Sequence, residues 1–169
     1  MFSDAEVFQK ERPHTLTNAQ LGKFFTDMAK EVKKNNWSCD SIEDIAEDLS
    51  DLNLNQNGFE MGKDLEGYNR KANYEIEVDF LEFLESLEYS KMQIVNQNVK
   101  DWVKAHDIKP KLNKGYEFIG SNKLHTKMRG EELVITDIYE DTAQYVVRLK
   151  NSNKKTGYLI DFEKVEGNV

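Results

Sequence analysis

Apolar positions recur at helical spacing through the first two thirds of the chain and then give way to short alternating or β-branched runs. The first strong segment is "TLTNAQLGKFFTDMAKEVKK". Thr17 and Gln20 stand at capping-box spacing, and Leu16 and Leu21 bracket the cap as a hydrophobic staple. Leu21, Phe24, Phe25, Met28 and Val32 then mark one helical face, and Trp37 is expected to plug the core at the helix end. The second segment, "SCDSIEDIAEDLSDL", carries Ile42, Ile45, Ala46, Leu49 and Leu52 as its stripe. Asp40, Glu43, Asp44, Glu47, Asp48 and Asp51 are read as an acidic opposite face, with Asp40 or Ser41 as the cap.

A shorter helix is predicted from about Phe59 to Tyr68. A long one follows from Asp79, paired with Glu82 as a capping box, to about His106, with "EYSK" at 88–91 as the place where it bends or splits. Beyond Pro110 the runs "YEFIG", "ELVITDIY", "QYVVRLK", "TGYLI" and "KVE", separated by "EDT" and "NSNKK", read as strands of a small all-β part. The expected fold class is therefore α+β. A helical domain of three or four helices over 1–109 precedes a small β-barrel domain over 110–169. The short link "HDIKPKLNKG" and the apolar Trp102, Val103 and Ile108 predict that the barrel packs on the C-terminal half of the long helix.

Charge sharpens this division. Residues 110–169 hold 10 Lys/Arg and 9 Asp/Glu, while the remainder holds 13 and 22 and so carries the acidity. The whole chain of 169 residues has a formal charge of −8, which does not favour non-specific attraction to nucleic acid. Cys39 is the only cysteine, so an intrachain disulfide is excluded. The first 30 residues lack a basic start followed by an apolar run, and no run approaches the roughly 18 apolar residues of a membrane span. A cytoplasmic location is expected.

"NLNQNGFEMGKD", residues 53–64, has the outline of a calcium loop, with Asn53, Asn55, Asn57, Gly58 and Asp64 in frame. Positions one, three and five carry no carboxylate, and Glu60 stands where an aliphatic residue belongs. The stretch is therefore read as a helix–helix turn. His14, His106 and His125 show no metal-ligand spacing, and neither a metal nor a cofactor is expected. No phosphate-cradling loop and no nucleophile–base pair stand out. A hydrolase built on Cys39 or carboxylates with a histidine is the enzymatic alternative.

From Arg129 to Glu166 the chain "RGEELVITDIYEDTAQYVVRLKNSNKKTGYLIDFEKVE" resembles the Src-homology-3-like barrel, with the likeness extending over about residues 115–166. "RGEEL" is similar to the turn entering the second strand, "QYVVRL" to the third strand and "TGYLI" to the fourth. "DFEKVE" is similar to the closing helical turn and last strand. Peptide-binding members dock proline-rich segments on an aromatic groove. Their usual tryptophan position here holds Gln144 or Tyr145, and Ile160 follows "GYL" where they have proline. The resemblance instead implies an aromatic surface of Tyr116, Tyr139, Tyr145 and Tyr158, against the alternative that half of these lie in the core.

These features together predict a non-enzymatic binding or regulatory protein. Its small acidic two-part design resembles proteins carried by phages and other mobile elements. Its expected partner is a protein, in the sharpest form a basic nucleic-acid-binding host protein that it inhibits. The expected partner-binding residues are Glu43, Glu47, Asp48, Asp51, Tyr116, Tyr145 and Tyr158. The alternative is nucleic-acid binding by the barrel through Lys111, Lys114, Lys123, Lys127, Arg129, Lys154 and Lys155, with tyrosines stacking on bases.

Overall fold

The computed structural model describes residues 11–67, 69–152 and 157–166. Among them are five helices, α1 (Asn18–Lys34), α2 (Ile42–Ser50), α3 (Gly58–Leu65), α4 (Val78–Ala105) and α5 (Phe162–Glu166). Four strands follow α4 and precede α5: β1 (Glu117–Ile119), β2 (Glu132–Tyr139), β3 (Gln144–Leu149) and β4 (Tyr158–Asp161). Apart from α5, helices precede strands, as the α+β pattern predicts. Two compact units result. One is His14–Val95, and the other takes in Met1–Pro13 and Asn96–Val169, so the division falls inside α4.

In the helical unit the N-terminus of α1 forms as its residues dictate. Thr17 Oγ1 accepts the Gln20 N–H at 3.3 Å, and Gln20 Oε1 accepts the Thr17 N–H at 3.1 Å. The buried face of Phe24, Phe25, Ala29 and Val32 meets Ile45 and Leu49 of α2, Met61 and Leu65 of α3, and Phe80, Leu84 and Leu87 of α4. Trp37, half-buried, lies 5.2 Å from the rings of both Phe80 and Phe83. Ser41 caps α2 by accepting the Asp44 N–H at 3.1 Å. The long helix begins at Val78, which places Asp79 in its first turn and not at its cap. It runs through 88–91 without a break.

α3 meets α4 at two glycines one turn apart. A Cβ on Gly58 would stand 2.1 Å from the Leu81 carbonyl oxygen, and one on Gly62 would stand 2.6 Å from Leu81 Cδ2. The Leu81 carbonyl is backbone and cannot yield, so hydrogen at Gly58 lets α3 lie this close to α4, whereas the contact at Gly62 is with a methyl group that can turn aside.

In the sheet unit the four strands form an antiparallel meander in the order β1-β2-β3-β4. Leu133 pairs with Leu149, Ile135 with Val147 and Ile138 with Tyr145, and the register slips by one residue between Ile135 and Asp137. The inward side carries Leu133, Ile135, Tyr145, Val147 and Ile160, and α5 closes it with Phe162 and Val165. "KVE" (164–166) is therefore helical and not the last strand expected of it. Phe162 and Val165 are three residues apart and both are buried, which is a helical spacing. Val99, Trp102 and Val103 of α4 belong to this same core, as the link and its apolar residues predict.

Arg12 is buried against the sheet unit. It donates to the Thr142 and Ala143 carbonyl oxygens at 2.9 and 2.6 Å and to Glu163 at 2.7 Å, with Asp161 at 3.3 Å. Its guanidinium lies 5.6 Å from the centre of the Trp102 ring. Burial opposes charge on Asp161, yet hydrogen bonds from Lys164 and Gln144 and the nearby Arg12 charge together hold its carboxyl below the usual range.

Two outcomes follow from this packing. Gly58→Ala destabilises the helical unit by about 1–3 kcal/mol through overpacking, whereas Gly22→Ala, with no atom within 4 Å of the added carbon, is neutral or stabilising. Urea unfolding followed by Trp37 fluorescence separates the two. A carboxyl whose folded pKa lies below its unfolded value adds stability above the unfolded pKa, and this is lost as pH falls through the folded one. Asp161→Asn is therefore less stable than the parent at pH 7, and the gap closes below about pH 4 in a pH series of thermal melts.

Candidate functional site

The acidic residues of α2 divide into those the fold uses and those it leaves outside. Asp48 is only 2% exposed. Its carboxylate accepts the Lys71 N–H (3.0 Å to each oxygen), the Ala72 N–H (3.0 Å) and the Tyr74 hydroxyl (3.1 Å). Burial, with the Asp48 charge beside it, pushes the Tyr74 phenol above its ordinary pKa. Asp40 accepts the Asn73 N–H at 2.7 Å, and Asp44 accepts the Ser41 hydroxyl at 2.7 Å. Glu47 is paired with Lys71 at 2.6 Å, and Asp51 lies 3.7 Å from Arg70. Of the four acids expected to face a partner, Asp48 is thus an internal group, Glu47 and Asp51 are exposed but paired, and Glu43 is exposed with no partner among the described residues.

The uncompensated charge lies elsewhere. Glu75, Glu77, Asp79, Glu82 and Glu85 are all exposed, and none has an ion-pair or side-chain hydrogen-bond partner among the described residues. They form the approach to α4 and its first two turns. The helical unit as a whole, His14–Val95, contains 8 Lys/Arg against 17 Asp/Glu. Sequence reading concentrated on α2 because its acids are adjacent in the chain. The signal for 75–85 was the same charge count without any basic residue between Lys71 and Lys91.

The tyrosines separate in the same way. Tyr145 is fully buried, 4.3 Å from the Phe162 ring, and its hydroxyl accepts the Leu112 N–H at 3.1 Å. It is a core residue and not part of an outer aromatic surface. Tyr116, just ahead of β1, and Tyr158, on β4, are exposed at opposite edges of the sheet, and Tyr139 is exposed at the end of β2. Tyr116 stacks against Phe118 at 6.4 Å.

The basic residues of the alternative reading fall in two places. Lys111 and Lys114 precede β1, while Lys123, Lys127 and Arg129 follow it around a short 3₁₀ turn, Thr126–Met128. All five are exposed, although Arg129 donates through Nε to the Leu124 carbonyl at 2.8 Å. Lys154 and Lys155 lie outside the described residues.

The calcium-like stretch is a turn built by its asparagines. Asn53 Oδ1 accepts the Asn55 N–H at 3.2 Å, and Asn57 caps α3 by accepting the Glu60 N–H at 2.9 Å. Gly58 onward is helical, so residues 58–64 do not wrap around a central point. Among the described residues no group of three or more His, Cys, Asp and Glu side chains is arranged to hold a metal ion. Cys39 is exposed at a hollow of about 480 Å³ lined by Lys33, Asn36, Ser38, Asn73, Tyr74 and Glu75, with no histidine in its walls. Among the described residues no helix is long and apolar enough to cross a membrane.

No family model, curated protein or solved structure matches the chain.

Removing the Asp48 carboxylate leaves the buried Ala72 N–H without its partner, together with the part-buried Lys71 N–H and Tyr74 hydroxyl. Asp48→Ala is expected to cost about 1–3 kcal/mol, whereas Glu43→Ala changes stability by less than about 0.5 kcal/mol. Urea titrations of the two variants check this.

Proposed function

We propose that this is a non-enzymatic binding and regulatory protein whose helical unit contacts a basic protein partner. The observation that carries the reading is the run of five exposed carboxylates from Glu75 to Glu85 with no paired cation among the described residues. Carboxylates left unpaired at short range repel one another, and a cationic surface relieves that repulsion on binding. In its sharpest form the reading is inhibitory: the acidic face occupies the groove of a nucleic-acid-binding protein in place of phosphates. Such a role suits a protein of phage or mobile-element type. We read the sheet unit as a Src-homology-3-like barrel. The antiparallel order β1-β2-β3-β4, the 3₁₀ turn Glu140–Thr142 and the helical turn after β4 support this. Tyr116 and Tyr158, exposed at opposite edges of the sheet, then offer separate further contact points.

The test uses poly-L-lysine as the probe, with a single-stranded oligonucleotide as the competitor class. The protein is expected to bind poly-L-lysine with an affinity that falls as salt rises. Asp79→Asn/Glu82→Gln/Glu85→Gln weakens binding about tenfold, from three lost pairs near 0.5 kcal/mol each. Glu131→Gln/Glu132→Gln, on the sheet unit, leaves it unchanged. Absence of binding at low salt, or equal losses in both variants, overturns the reading. Salt-dependent binding to the oligonucleotide in its place supports the barrel's lysines as the functional surface.

A further inference from the structure

The first half of α4 presents one exposed stripe of mixed character. Val78, Glu82, Glu85, Tyr89 and Met92 recur at intervals of three and four residues, so they share a single face of the helix. Val78 and Tyr89 are each 69% exposed and Met92 is 44% exposed, although the same helix buries Phe80, Leu84 and Leu87 completely on its other side. The fold therefore leaves most of Val78 and Tyr89, and nearly half of Met92, uncovered. Gly58 packs against Leu81 and Glu85, which brings the exposed Phe59, next in the chain, to the border of the stripe. Glu82 and Glu85 stand between Val78 and Tyr89 without partners among the described residues. Isolated exposed apolar residues are ordinary on protein surfaces. Alignment along one helix face, interleaved with uncompensated carboxylates, is not.

We infer that this stripe is the docking face for a basic amphipathic helix of the partner, an inference that rests on the acidic-surface reading above. Charge complementarity selects the occupant. Lys or Arg midway along the incoming helix meets Glu82 and Glu85, and its apolar residues to either side cover Val78 and the Tyr89–Met92 pair. A helix-on-helix seam read through anchors at three- and four-residue spacing is an established mode of peptide recognition. Tyr and Met suit it: Tyr presents a large, stiff surface, and Met adapts to irregular shapes. From Val78 to Met92 the stripe is about 21 Å long at 1.5 Å per residue, which matches about four turns of a partner helix. An acidic or purely apolar helix is disfavoured by the same carboxylates.

The experiment measures fluorescence anisotropy of a labelled Leu/Lys peptide of about 18 residues patterned as an amphipathic helix. A scrambled peptide of the same composition and poly-L-lysine are measured beside it. The patterned peptide is expected to bind about tenfold more tightly than the scrambled one. Tyr89→Ser/Met92→Ser is expected to remove that advantage, about tenfold in affinity, while leaving poly-L-lysine binding unchanged. These side chains are exposed, and an unchanged circular dichroism spectrum verifies the fold of the variant. Glu82→Gln/Glu85→Gln reduces the salt dependence of peptide binding. Equal affinity for patterned and scrambled peptides, or an unaffected Tyr89→Ser/Met92→Ser variant, overturns the docking face while poly-L-lysine binding still upholds the acidic-surface reading. Failure of all three probes to bind overturns both.

Discussion

The helical unit depends on a single buried carboxylate. The chain between α3 and α4 has no regular structure over residues 69–77, so its backbone N–H groups have no helical or sheet partners. Asp48 supplies acceptors for Lys71 and Ala72 and receives the Tyr74 hydroxyl. Asp40 takes the Asn73 N–H, and the Trp37 carbonyl takes that of Glu75. Buried polar backbone without such partners costs free energy comparable to the loss of a hydrogen bond at each site. The irregular segment is thus fastened residue by residue to α2 and to the turn before it. This fastening delivers Phe80 to the rings of Trp37 and Tyr74. Acidity in α2 is in large part a structural device, and a surface role passes to carboxylates that fasten nothing.

Much of this architecture is legible in the residues, and the reason differs from element to element. The α1 cap needs only Thr17 and Gln20 at the right interval, a local constraint that no distant contact alters. The run "QYVVRL" forms β3 because Tyr145 and Val147 alternate with half-exposed neighbours. That same parity places Tyr145 inside, so its burial was readable from its agreement with Val147 and Ile135. Asp48 is the parallel case on a helix. It stands at i+3 from Ile45 and beside Leu49, within the apolar stripe and not opposite it. An acid at a stripe position signals a buried acceptor, and grouping it with its acidic neighbours by type hides that signal. Other features left no local trace. Arg12 sits in a short polar stretch, and only the folded sheet brings Thr142, Ala143, Asp161 and Glu163 to it. The division between units within α4 is likewise a matter of which core each turn joins, and an unbroken helical period does not reveal it.

α4 shows how one helix carries two kinds of information. Its inward positions, Phe80, Leu84 and Leu87, are fixed by the packing of α1, α2 and α3. Its outward positions are under no such constraint, so ordinary solubility would fill them with mixed charge. Between Asp79 and Glu88 they hold acids without a single base. The first turn gains from this, because acids near a helix N-terminus complement its dipole. Glu85, about two turns in, lies beyond that benefit, since the dipole effect fades within the first turn. Its charge, like that of Glu82, has no ion-pair partner among the described residues.

The exposed apolar residues of the same face complete the argument. Covering a side chain such as Tyr89 is worth about 1.5–3 kcal/mol when burial is full; the fold forgoes most of that at Tyr89 and part of it at Met92, one turn on. The uncompensated charge and the uncovered apolar surface each find a ready explanation alone, in solubility for one and in chance exposure for the other. Together on one helix face they oppose each other as surface design. Glu82 and Glu85 separate Val78 from Tyr89 and Met92, so the face alternates along the helix axis from apolar to acidic and back to apolar. Under the proposed docking, a helix that is basic midway along its length and apolar to either side satisfies both at once, and neither a nucleic acid nor a purely cationic chain does so.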